Sequence, residues 1–165
     1  MKRLTLIRHA KSNWNDPDLT DFERPLNGRG RRDAPVMALR LADAVGAPDL
    51  WVSSPALRAI TTARLFAEAL SMPDTDVLLS PDIYDADLAR LRSVLQALNE
   101  SARHVWVFGH NPGLSDLAHW LHSAAPGHLP TCAAVAFDLP PDPWSTLRPG
   151  SGRVLAHLYP KQTAG

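Results

Sequence analysis

The chain has 165 residues, of which 45% are hydrophobic, and its 17 Lys and Arg residues balance its 17 Asp and Glu residues. This length suffices for one domain with a full hydrophobic core, so we expect a single domain over residues 1–165. A neutral balance disfavours a nucleic acid or an anionic membrane surface as the main partner. The tryptophans are scattered rather than interleaved with basic residues, which is typical of packing rather than base stacking.

The cysteine content and the N-terminal segment together predict a cytoplasmic protein. The single cysteine, Cys132, cannot form an internal disulfide, and its apolar neighbours predict a buried strand rather than a catalytic position. Arg8 interrupts the first apolar patch too early for a secretion signal. No apolar run reaches the ~18 residues that would predict a membrane span.

The first predicted strand covers residues 4–8, and a helix follows after a polar loop. Apolar residues recur at helical spacing in this helix, and Gly46 ends the run. The start of the helix is open between two alternatives. If Asp33 caps the helix, Pro35 falls in its first turn, whereas a start near Asn27 should leave Pro35 to kink the helix.

The second predicted strand covers residues 50–53 and leads directly into a helix. Ser54 is a good N-cap, Pro55 suits the first helical position, and the helix is expected to run to Ala69. Arg58 then falls in the first turn. Its guanidinium can therefore join the backbone N–H groups of the helix N-terminus in binding an anion.

The rest of the chain continues to alternate between strands and helices and ends in two further strands. A proline-rich loop at residues 140–149 separates those last two strands. The pattern predicts an α/β fold, a three-layer α/β/α sandwich with a mostly parallel central sheet. The remaining predicted elements are, in chain order, strand 76–79, helix 87–98, strand 103–108, helix 114–121, strand 133–139 and strand 153–159.

Two arginines and two histidines follow the carboxyl ends of three of these strands. Arg8 and His9 end the first strand, Arg58 follows the second, and His110 follows the strand at 103–108. In open parallel sheets ligands bind at this edge, so we expect the four side chains to meet there. Their charge and geometry suit a phosphoryl group, whose oxygens planar guanidinium groups hold bidentately.

The cations of this predicted site come from the protein rather than from a metal. Asp16, Asp18 and Asp21 lack the regular spacing of a metal site, and we expect neither a metal nor another cofactor. His9 is the candidate nucleophile, because a neutral imidazole nitrogen can carry a phosphoryl group. The nearby arginines should lower the pKa of His9, and His110 should donate a hydrogen bond to the transferring group.

Several segments also make the chain resemble the histidine phosphatase superfamily, which includes phosphoglycerate mutases. The segments LIRHAKS, SSPALRAITTA and VFGHNPGLSDLA are similar to its signature, second arginine and second histidine segments. The segments ERPLNGRGRRDA and YPK resemble its short, SixA-like phosphohistidine phosphatase branch. The commonest third residue of the signature is Gly, where this chain has Ala10.

The resemblance implies a phosphoglycerate mutase-like fold and a metal-independent reaction through a phosphohistidine intermediate. It implies that His9 is the phosphorylated nucleophile and that Arg8, Arg58 and His110 form the phosphate pocket. Ser12 and Arg24 are further candidates for substrate binding. For Ser12 a loop-capping role is the alternative, and for Arg24 an ion pair with a nearby carboxylate is the alternative.

Three interpretations of the function stay open, and the presence or absence of a general acid bears on the choice between two classes of substrate. Sugar-phosphate members of the superfamily carry a glutamate that protonates the leaving alkoxide, whereas the matching stretch here offers only Asp82, Asp85 and Asp87. Asp87 can equally cap a helix. A phosphorylated protein side chain, above all phosphohistidine, is therefore the expected substrate. A small phosphorylated metabolite and a non-catalytic phosphate-binding role are the alternatives, and the sequence predicts no oligomeric state.

Overall fold

A six-stranded sheet forms the centre of the computed structural model, which describes residues 1–161. The strand order is β3-β2-β4-β1-β5-β6. The first four strands in that order are parallel, β5 runs antiparallel to β1, and β6 runs antiparallel to β5. The strands are β1 (Lys2–Arg8), β2 (Leu50–Ser53), β3 (Val77–Leu79), β4 (His104–Gly109), β5 (Ala134–Leu139) and β6 (Arg153–Leu158).

Helices cover both faces of the sheet, which confirms the predicted three-layer sandwich. The helices are α1 (Gly28–Val45), α2 (Leu57–Ala69), α3 (Leu88–Gln96) and α4 (Gly113–Leu121). Successive strand side chains point to opposite faces, so Leu6 packs with α3 and α4 while Ile7 packs with α1 and α2. The same alternation in β4 places Val107 in the core under α3 and α4 and Phe108 in the core under α1 and α2. None of the helices of residues 1–161 is long and apolar enough to cross a membrane.

The boundaries of α1 and α2 settle one open prediction and correct another. The side chain of Asn27 accepts a 2.8 Å hydrogen bond from Gly30 N, so α1 begins at Gly28 and contains Pro35. The prediction that Ser54 caps α2 is wrong, because the cap position belongs to Ala56. Ser54 lies outside the helix, and its hydroxyl contacts a histidine from another strand end, as described below.

Two further segments bear on the site. Cys132 is buried as predicted but precedes β5 rather than lying in it, with φ at 62°, and its N–H donates to the His9 carbonyl at 2.9 Å. Gly30 lies against the backbone of Lys11, and a Cβ at this glycine would overlap the Lys11 carbonyl oxygen. The loop that carries His9 is thus tied to the segment that precedes β5 and to α1.

The proline-rich loop packs into the core through a single aromatic side chain. Its only regular structure is the 3-10 turn Trp144–Thr146, within the part of the chain that the structure describes. Trp144 is fully buried and donates to the Ala102 carbonyl at 3.0 Å. Lys2 donates to the Asp142 carbonyl at 2.7 Å, and together these contacts hold the loop against the amino-end edge of the sheet.

Candidate active site

The four strand-end side chains line one pocket of about 270 Å³. Arg8 and His9 reach it from the end of β1, Arg58 from the first turn of α2, and His110 from the residue after β4. β1 and β4 are parallel and adjacent, so both strands end at this edge of the sheet. The other residues that line the pocket are Trp14, Asp21, Arg24, Tyr84, Asp85 and Asn111.

His9 has one ring nitrogen committed to the protein and one left for a ligand. Its Nδ1 lies 2.7 Å from the Ala10 carbonyl oxygen. Because a carbonyl oxygen only accepts, Nδ1 carries the proton of the neutral ring, and Nε2 keeps its lone pair. The rings of His9 and His110 lie 5.2 Å apart between centroids, so one ligand can contact both.

The pKa of His9 is lowered to about 3, so the imidazole is neutral at pH 7. Burial is the largest cause, and it outweighs the opposing effect of the hydrogen bond to Ala10. His110, Arg58 and Arg8 lower the pKa further. The predicted direction is confirmed, although burial contributes more than the arginines on which the prediction rested.

His110 is oriented by Ser54, a contact that the sequence did not indicate. Its Nε2 lies 2.8 Å from the Ser54 hydroxyl, whereas its Nδ1 is buried without a hydrogen-bond partner. The pKa of His110 is lowered to about 4, first by burial and then by Arg58. Ser54 is itself fully buried at the end of β2, so the ring has a fixed support.

The two predicted arginines are held by backbone carbonyls of the surrounding loops. Arg8 Nη1 donates to the Leu129 carbonyl at 3.0 Å. Arg58 is buried, and its Nη1 donates to the Asp21 carbonyl at 2.6 Å. Burial lowers the pKa of Arg8, and the positive charge of Arg58 lowers it further.

Asp21 and Tyr84 are residues of this pocket to which the sequence assigned no role. The Asp21 carboxylate accepts hydrogen bonds from Arg58 Nη2 at 3.0 Å and from the Tyr84 hydroxyl at 2.6 Å. It also accepts hydrogen bonds from Arg24 Nε at 3.2 Å and Arg24 Nη2 at 3.1 Å. Burial alone would raise the pKa of Asp21, but the hydrogen bonds from Tyr84 and Arg58 lower it to about 2. The site therefore contains a permanent negative charge among its cations.

The structure places the two secondary candidates, Ser12 and Arg24, in different roles. Arg24 lines the pocket and also forms the ion pair named as its alternative, with Asp21. Ser12 is buried and is not among the residues that line the pocket; its hydroxyl accepts from Arg24 Nη1 at 3.0 Å. Ser12 thus supports Arg24, and the Trp14 ring lies against the face of that guanidinium.

Only one of the three candidate acids lies at the site. Asp85 lines the pocket, whereas Asp82 and Asp87 line a separate groove beside β3. Asp87 caps α3 by accepting a hydrogen bond from Arg90 N at 2.9 Å, which was its alternative role.

Within residues 1–161, no group of three or more His, Cys, Asp or Glu side chains is placed to hold a metal ion.

The fold and the order of the motifs identify the class of α/β protein to which the chain belongs. Residues 4–110 match the family model for the histidine phosphatase superfamily (branch 1). This match covers well over half of the chain, and the protein belongs to that superfamily.

Known proteins similar to the chain include one curated sequence and several solved structures. Over 142 residues the chain is 32% identical to an uncharacterized chloroplastic protein of Arabidopsis thaliana, covering 81% of this chain and 65% of that protein. A crystal structure assigned as the phosphohistidine phosphatase SixA of Agrobacterium tumefaciens is 28% identical, with a TM-score of 0.78 and coverage of 96% and 98%. The protein histidine phosphatase SixA in complex with tungstate is 25% identical, with a TM-score of 0.80 and coverage of 96% and 97%.

Proposed function

We propose that this chain is a metal-independent phosphatase in which His9 carries the phosphoryl group. The observation that carries the proposal is the free Nε2 lone pair of His9 in a pocket shared with Arg8, Arg58 and His110. A neutral imidazole is nucleophilic, and the guanidinium groups neutralise the charge spread over the phosphoryl oxygens. Membership of the histidine phosphatase superfamily supports the same activity.

The reaction proceeds in two displacements at phosphorus. In the first, the Nε2 lone pair of His9 bonds to phosphorus while the bond to the leaving group breaks, and the leaving group departs with that electron pair and takes up a proton. In the second, water attacks phosphorus and the P–Nε2 bond breaks. Its electron pair returns to His9, and orthophosphate and a proton are released.

Protein phosphohistidine is the substrate that we propose for this site. The Asp21 carboxylate is occupied by hydrogen bonds from Arg24, Arg58 and Tyr84, so it is not available to protonate a leaving group. Asp85 is the other carboxyl group among the residues that line the pocket, and we propose it as the proton donor. An imidazole leaving group needs less assistance than an alkoxide, which favours phosphohistidine. The SixA relatives, one of them complexed with tungstate, support this substrate class.

The first experiment tests catalysis by His9. Turnover of p-nitrophenyl phosphate is measured in the presence of EDTA for the wild type, His9→Ala and His119→Ala. His119 is an exposed histidine of α4 outside the pocket, and its replacement serves as the matched control. We expect turnover in the wild type and the control, and at least a roughly thousandfold loss in His9→Ala. Full activity in His9→Ala would refute the assignment of the nucleophile.

The second experiment tests the substrate. The rate of dephosphorylation of a phosphohistidine carrier protein is compared with the rates for sugar phosphates at matched concentrations. We expect the carrier protein to be preferred. A preference of about a hundredfold or more for sugar phosphates would reject the protein substrate, and tungstate binding without any turnover would indicate a non-catalytic phosphate-binding role. The cytoplasmic location and the absence of a nucleic-acid partner stay predictions.

A further inference from the structure

Trp14 is a large aromatic side chain left exposed at the pocket. It is 73% exposed, belongs to neither hydrophobic core, and lines the same pocket as His9 and Arg58. The Arg24 guanidinium carbon lies 3.3 Å from the centroid of the indole ring and covers one of its faces. Since the side chain nevertheless remains largely exposed, the opposite face of the indole is open to solvent.

The guanidinium beneath the indole is itself fixed by hydrogen bonds from all three of its nitrogens to two residues. Arg24 Nε and Nη2 bind the Asp21 carboxylate, and Nη1 binds the Ser12 hydroxyl. Its side chain is only 9% exposed. A planar guanidinium stacks on an aromatic face, so this support holds the indole in one plane. Trp14 is thus a flat, supported surface rather than a freely rotating side chain.

We infer that the open face of Trp14 stacks against a planar ring in the leaving group of the substrate. This inference rests on the proposed function, in which the phosphoryl group lies against Arg8, His9 and Arg58 and the leaving group extends towards the remaining lining residues. Trp14 then selects phosphorylated aromatic and heteroaromatic groups, such as phosphohistidine, over phosphorylated aliphatic groups. An aromatic pair adds specific stacking energy beyond the burial of its area, and a saturated ring cannot supply it.

The test uses two ligands that differ only in the aromaticity of one ring. Benzylphosphonate and cyclohexylmethylphosphonate carry the same anionic group and similar apolar volume, and neither can be hydrolysed. Their dissociation constants are measured by calorimetry for the wild type and for Trp14→Leu, Trp14→Phe and Phe22→Leu. We expect the wild type to prefer the benzyl ligand by roughly fivefold, a preference that Trp14→Leu abolishes and Trp14→Phe partly retains.

Phe22→Leu is the matched control, because Phe22 is an exposed aromatic of the same loop that does not line the pocket. It should keep the wild-type preference. Tungstate, which has no ring, should bind Trp14→Leu and the wild type equally within about twofold. The inference is wrong if Trp14→Leu keeps the preference for the benzyl ligand, if Phe22→Leu loses it equally, or if tungstate binding weakens as much as benzylphosphonate binding.

The binding readout separates this inference from the proposed function. If the wild type turns over no phosphate ester but still prefers the benzyl ligand through Trp14, the catalytic proposal fails and the ring selectivity stands. If turnover depends on His9 but the preference is absent, the catalytic proposal stands and the role of Trp14 is refuted.

Discussion

Replacement of Asp21 by Asn removes the negative charge among the cations of the pocket while preserving the shape of the side chain. The amide oxygen of Asn can still accept a hydrogen bond from Arg24 or Tyr84. The bond from Arg58 Nη1 to the backbone carbonyl of residue 21 is unaffected, because it does not involve the side chain. The substitution therefore changes charge more than geometry.

The expected loss of stability follows from the lowered pKa of Asp21. A carboxyl group whose pKa falls from 3.8 to about 2 on folding stabilises the protein above pH 3.8, and that contribution is lost as the pH falls through 2. The Asp21 side chain is 52% exposed, so solvent screening reduces its contribution to about 1 kcal/mol. We expect Asp21→Asn to lower the free energy of unfolding by about this amount at pH 7.

Anion binding should change in the opposite direction. The Asp21 carboxylate competes with any phosphoryl group for Arg58 Nη2. If a separation of about 7 Å between the removed charge and a bound divalent anion is assumed, Coulomb's law gives a gain of about 1 kcal/mol at the dielectric constant of water, so tungstate should bind Asp21→Asn roughly fivefold more tightly. Orthophosphate, the product of the proposed reaction, should inhibit the variant more strongly for the same reason.

The measurements are urea unfolding between pH 3 and pH 7 and calorimetric titration with tungstate. Asp82→Asn is the control, because it makes the same charge change at an aspartate outside the pocket. The stability difference between wild type and Asp21→Asn should shrink as the pH approaches 3. Weaker tungstate binding by Asp21→Asn, or equally tightened binding by Asp82→Asn, would refute the reasoning.

Three further predictions concern the histidines and the loop that carries His9. Burial lowers the pKa of His9 to about 3 and that of His110 to about 4, so the C2–H NMR shifts of both rings should stay constant between pH 8 and pH 5. Titration midpoints near 6.5 for these rings would contradict the burial argument. Ser54→Ala removes the hydrogen-bond partner of His110 Nε2, so it should lower kcat roughly tenfold with little change in tungstate affinity. Equal losses of kcat and of tungstate affinity would indicate collapse of the pocket. Gly30→Ala forces the backbone of Lys11 to move and should cost about 1–3 kcal/mol in urea unfolding, and a neutral result would show that the loop yields freely.

Most of the fold follows from short-range patterns in the sequence. Apolar runs mark the strands, and the placement of Arg8, His9 and His110 directly after such runs predicts their convergence, because parallel strands end at one edge. Helix ends are less determined by local sequence. Ser54 followed by Pro55 has the composition of a helix start, yet the helix begins at Leu57, and the Ser54 hydroxyl contacts Ala56 N and the His110 ring instead of capping it.

The loops explain why the rest of the site could not be predicted. Asp21 lies in a polar loop without periodicity, and its partners Arg58 and Tyr84 lie 37 and 63 residues further along the chain. No spacing rule connects residues that meet only through tertiary structure. The strand ends thus bring together the cationic and imidazole side chains of the pocket, whereas the loops add the negative charge of Asp21 and the exposed indole of Trp14. Relatives that share the strand-end residues but differ at positions 14 and 21 should therefore bind phosphate alike and differ in leaving-group preference and product inhibition.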